Sequence, residues 1–106
     1  MNHKDIADRI VTLGVGEHNI TASGPLFAYH PNPLQSENCS AEWFVHDWRV
    51  AGAMMERCEM TSIIKGRDGK WQVGASTHNS RSMSEGENES PPLAINLACL
   101  EALSNE

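Results

Sequence analysis

Apolar side chains recur at helical spacing in some stretches of this chain and alternate in others, and the two periods divide it into elements. Over residues 2–13, Ile6, Ala7, Ile10, Val11 and Leu13 fall on one helical face, with Asn2 in position to cap the first turn and Asp5 three residues beyond it. Gly14 and Gly16 end that helix. Residues 14–40 are rich in Gly, Pro, Asn and Ser; within them 25–29 (PLFAY) form a short apolar run that reads as an edge strand, which Pro31 and Pro33 keep from extending. Ser40 is placed to cap a second helix. Phe44, Trp48, Ala51, Met55 and Cys58 follow i, i+4, i+7, i+11, i+14, so one continuous helix is expected over 41–58, with Trp48 on its core stripe. His46, Arg49, Glu56 and Arg57 fall off that stripe and are expected in solvent.

Further along, 60–65 (MTSIIK) and 70–75 (KWQVGA) flank Gly66-Arg67-Asp68-Gly69, the kind of connection that closes a β-hairpin. On its second strand Trp71, Val73 and Ala75 share a face. Residues 76–90 carry almost no apolar side chains and read as either a loop or a weakly specified third strand. Ser90-Pro91 is a strong helix start, because proline at the first helical position forfeits no intrahelical bond. The last helix is expected over 91–103, with Leu93, Ala94, Leu97, Ala98 and Leu100 on a wide apolar face that only Asn96 and Glu101 interrupt. The order helix, strand, helix, hairpin, loop, helix predicts an α+β fold: a small antiparallel sheet with helices packed on both faces, an α/β/α sandwich.

Composition changes this picture little. A chain of 106 residues, 40% apolar and 21% charged, has the make-up of one ordinary globular domain and buries roughly two-thirds of its extended surface on folding. Eight Lys and Arg against 14 Asp and Glu leave a formal net charge of −6. Without a basic cluster, direct binding to nucleic acid is not expected. The cysteines Cys39, Cys58 and Cys99 are odd in number and lack C-x-x-C spacing, so neither a disulfide framework nor a zinc ribbon is indicated and a reducing cytoplasm is the expected location. No leader-like apolar segment follows the N-terminus, and no apolar run is long enough to span a bilayer.

With the elements in place, 40–43 (SAEW), 50–56 (VAGAMME), 69–73 (GKWQV) and 91–95 (PPLAI) leading into 98–103 (ACLEAL) give a pattern that resembles the phage ABA-sandwich family of small phage and prophage proteins. The resemblance covers about residues 40–103, most clearly in the closing helix. It implies the α/β/α architecture and a phage or prophage setting, and it supplies no catalytic residues.

Candidate chemistry is sparse. The five histidines, His3, His18, His30, His46 and His78, make no H-E-x-x-H or H-x-H arrangement, so no metal site is expected. His78 lies among serines, but no G-x-S-x-G elbow accompanies it. Cys58 and Cys99 sit among apolar helix positions as small core residues do. Gly14-Val15-Gly16 is too short for a dinucleotide fingerprint and reads as a helix end. Of the tryptophans, Trp43 at the edge of its helix and Trp71 in the hairpin are candidates to stack a ligand or anchor a partner, and Tyr29 and His30 beside Pro31-Asn32-Pro33 form a second candidate surface. The expected function is therefore a non-catalytic phage or prophage accessory protein that binds a host protein of a defence or regulatory system. The alternative is a homo-oligomer that binds a small molecule or nucleotide. No cofactor is called for by either.

Overall fold

A computed structural model of the chain describes residues 2–21, 24–28, 39–78 and 83–104. Helix α1 spans His3–Thr12; the Asn2 side chain accepts a hydrogen bond from the Asp5 amide at 2.9 Å, and Ile6, Ala7 and Ile10 turn into the core. Gly14 and Gly16 follow with positive φ. Gly16 is fixed twice over, since a Cβ there would meet Ala28 O at 2.7 Å and the Phe44 ring at 2.8 Å. That tight exit leads into β1 (Glu17–Thr21), which pairs antiparallel with β2 (Gly24–Ala28), and Phe27 extends the pairing through a bridge to Cys39. The expected strand at 25–29 is thus β2, and its partner β1 lies in residues whose polar character reads as connector. Stacking of the His18 ring on Phe27, 4.9 Å apart and 14° from parallel, is one contact that holds the pair together.

The expected single helix over 41–58 is two. Ser40 caps α2 (Ala41–Val45), the chain leaves helical geometry at His46–Asp47, and Asp47, extended at φ −80° and ψ 124°, caps α3 (Trp48–Glu56) by accepting from the Arg49 amide. Phe44 and Val45 are buried before the break and Val50, Ala51 and Met54 after it, but Trp48 is 61% exposed. The stripe that puts Trp48 in the core assumes unbroken helical phase between Phe44 and Ala51; the new cap at Asp47 makes Trp48 the first residue of a new helix and turns it outward.

Strands β3 (Met60–Lys65) and β4 (Trp71–Ser76) form the expected hairpin, and β5 (Ser84–Asn88), the weakly specified strand of 76–90, pairs antiparallel with β4. Helix α4 (Pro91–Ser104) is buried on almost every side, as its apolar sequence predicts. It lies across β4 and β5, with Val73, Ala75 and Gly86 beneath it, and packs on α3 from its other side. The approach at Gly86 is so close that a Cβ would overlap Ala94 O and Ala98 N. Asn96, wholly buried, donates from Nδ2 to the last carbonyl of α2, Val45 O, at 2.9 Å.

The chain is therefore α+β, with antiparallel strands and helices packed against them. Its strands are divided between a two-stranded and a three-stranded sheet around one cluster of buried residues, from Ile6, Phe27 and Phe44 at one end to Val73 and Ala98 at the other. The face of the three-stranded sheet opposite α4 presents Ser62, Ile64, Gln72, Gly74 and Glu85. Among the described residues no helix is long and apolar enough to cross a membrane.

Candidate functional site

Sequence reasoning singled out Trp43, Trp71, Tyr29 and His30. Trp43 stands on α2 beside the buried pair Phe44 and Val45 and is 74% exposed. Trp71 is half-buried on β4, opposite Lys65 and Asn88, and the Lys65 ammonium rests 5.6 Å from its ring centroid. The two do not share a surface element, and Tyr29 and His30 lie outside the described residues. Trp48 was missed. Its signal was Asp47: an aspartate immediately before it is a helix start, and a restart there uncouples Trp48 from the stripe.

Between the two exposed indoles lies the break, and its polar groups are tied down. Asp47 accepts from the Arg49 amide and from its guanidinium at 2.8 Å. Burial pushes the Asp47 carboxyl up, but these bonds, the Arg49 charge and the Val50 amide outweigh it and hold the group below the ordinary carboxylate range. Cys39, close enough to feel both charges, is raised by burial and by Asp47, against a smaller opposing effect of Arg49. His46 is expected in solvent on the basis of sequence; instead its Nδ1 lies 2.7 Å from Ser90 Oγ, at the start of α4, and its ring meets His3 of α1 edge-on at 5.4 Å. Burial and His3 lower its pKa, with Glu42 opposing, so the ring is neutral at pH 7. Glu42, Trp43 and His46 line a small open cleft of about 240 Å³.

A serine hydroxyl on a neutral imidazole is the beginning of a nucleophilic pair, but the surroundings withhold the rest. The Ser90 amide is spent on Asn88 Oδ1 at 2.9 Å, and the next two residues, Pro91 and Pro92, have no N–H, so the first turn of α4 offers no adjacent donors to an oxyanion. What the contact does is join α1, the α2–α3 break and the start of α4. His78 lies 3.3 Å from Glu59 on an exposed surface. Among the described residues no three His, Cys, Asp or Glu side chains gather where a metal could be held.

A second concavity of about 430 Å³ lies on the open sheet face, floored by Ser62, Gln72 and Gly74 and flanked by Ile64, Met83 and Glu85. Comparison of the chain with known protein families, with curated proteins and with solved structures finds no match. The geometry of its own surface is what bears on function.

Proposed function

We propose that the chain is a non-catalytic binding protein that docks a protein partner on the α2–α3 surface, with Trp43 and Trp48 as its anchors. The observation that carries this reading is the exposure of both indoles, 74% and 61%, on helices whose other faces are firmly seated in the core. Tryptophan is the side chain most enriched among energetic anchors of interfaces, and a rigid support spares the ordering cost of docking. The rim is polar: Glu42 on one side of the cleft, and Asp47 with Arg49 at the break. The likeness of residues 40–103 to the phage ABA-sandwich pattern supports a phage or prophage accessory role, with a host protein of a defence or regulatory system as partner.

The test is affinity capture from host cells with the wild-type chain, followed by measurement of the purified pair. Trp43→Ala and Trp48→Ala are each expected to weaken the complex by tenfold or more, the ordinary cost of removing an interface anchor, with unchanged circular dichroism. A complex that survives the double substitution, or turnover of a substrate by the purified chain, would sink the reading. The sheet-face groove supports a second reading as a small-molecule site. Its carboxylates Glu85 and Glu87 favour a neutral or cationic ligand over a nucleotide.

A further inference from the structure

We infer that β3 pairs with β3 of a second copy of this chain about a two-fold axis at Ile63, joining two three-stranded sheets into one. β3 is a sheet edge, and β4 is the strand that pairs with it among the described residues. Natural sheets blunt such edges with proline, bulges, inward charges or edge lysines, and of these β3 carries only Lys65, at its last position. β3 has no proline, and it carries isoleucines on both faces: Ile63, 40% exposed on the side where α4 packs against β4 and β5, and Ile64, 63% exposed on the open side. The opposite edge, β5, is guarded by Glu85 and Glu87.

The backbone fixes the register. The Gly66 amide donates to Lys70 O, so in the antiparallel ladder the even-numbered residues of β3 direct their N–H and C=O groups toward β4. Thr61, Ile63 and Lys65 direct theirs outward. A two-fold axis at Ile63 sets Ile63 opposite its own copy and Thr61 opposite Lys65, so every one of those outward groups finds a partner. A shift of two residues in either direction leaves some unpaired.

Charge agrees with this register. Although the chain as a whole is at −6, the only charge within β3 is Lys65. Pairing about Ile63 brings Glu59, which precedes the strand and also meets His78, toward Lys65 at the far end of the other copy's β3, and symmetry repeats the contact. Ile64 falls opposite Ser62, so the floors of the two sheet-face grooves become continuous. Each copy is at once template and strand, the self-complementarity that a closed dimer requires.

The test is sedimentation equilibrium over a range of concentrations, beside amide exchange by NMR. The wild-type mass is expected to rise twofold from 11.7 kDa, and the Thr61, Ile63 and Lys65 amides to gain protection along with it. Ile63→Pro removes an outward-facing N–H that β4 does not use, so it is expected to return the protein to monomer with the fold intact. Glu59→Lys is expected to weaken the dimer about tenfold. Should Ile63→Pro fail to fold, the exchange measurement on the unaltered chain still decides. A monomer at every concentration, whose outward amides exchange freely, overturns the proposal, as does a dimer that forms while those amides stay unprotected. If the edge instead accepts a strand from another protein, the isolated chain stays monomeric, and the proposal falls in the same way.

Discussion

Protonating His46 puts a cation where burial and the neighbouring His3 both disfavour it. Because its folded pKa lies below the ordinary value of about 6.5, the unfolded chain takes up the proton first. Stability from this group is therefore complete above about pH 6.5 and declines as pH falls from there toward the folded pKa, below which the loss is full. Melting temperature is expected to drop between pH 7.5 and 5, and His46→Gln, which can still bond Ser90, is expected to flatten that part of the profile. An unchanged slope would mean that other groups set it. Ser90→Ala removes the hydroxyl from the same contact and is expected to cost about 1 kcal/mol in denaturant titration. Cys99, buried in α4 against Cys58, has its thiol pushed far up by burial, with Cys58 adding to the effect. In native protein at pH 8 Cys99 should stay unlabelled by a thiol reagent until the chain is unfolded, which mass spectrometry reads directly.

Elements show where sequence pattern is sufficient and where it is not. α1, the β3–β4 hairpin and α4 were legible because each carries both a period and its punctuation: Asn2 before the first, a Gly–Asp turn in the second, Ser90-Pro91 before the third. The α2–α3 break was not. Phe44, Trp48 and Ala51 keep helical spacing across it, and only the capping chemistry of Asp47 distinguishes two helices from one. β1 and β5 are hidden for another reason: EHNIT and SEGEN lack the alternation that announces a strand, and their pairing with β2 and β4 rests on tertiary context rather than on a pattern of their own. In β5 the residue that matters to packing is Gly86, which has no side chain to leave a pattern. Gly86→Ala drives a methyl into the α4 backbone and is expected to cost about 3 kcal/mol, if it folds. Gly52→Ala is its control: exposed in α3 with nothing within 4 Å of a new Cβ, it is expected to gain about 0.5–1 kcal/mol. Equal effects of the two substitutions would refute the close packing of α4 on β5.

At the scale of the whole molecule, the tryptophans divide into a wet pair and a sheltered one, and solution measurements can separate them. Sequence left Trp43 and Trp71 open as surface residues but could not rank them, since a hairpin tryptophan is covered or bare according to what lies across it. Here the core and Lys65 cover much of Trp71, while Trp43 and Trp48 stay mostly in solvent. Emission of the native chain is accordingly expected to resemble that of free indole and to be quenched readily by acrylamide. In the Trp43→Phe, Trp48→Phe double variant the residual Trp71 emission should shift to the blue and resist quenching severalfold better. The sign of the quencher adds a second discrimination. A surface at −6 overall, with Glu42 beside Trp43, repels iodide and attracts caesium, whereas the Lys65 ammonium over Trp71 does the opposite locally. Caesium should thus be the better ionic quencher of the wild type at low ionic strength and lose that advantage in the double variant. If the double variant keeps the wild-type emission and quenching, the accessible indole is Trp71, and the docking surface belongs on the hairpin rather than on α2 and α3.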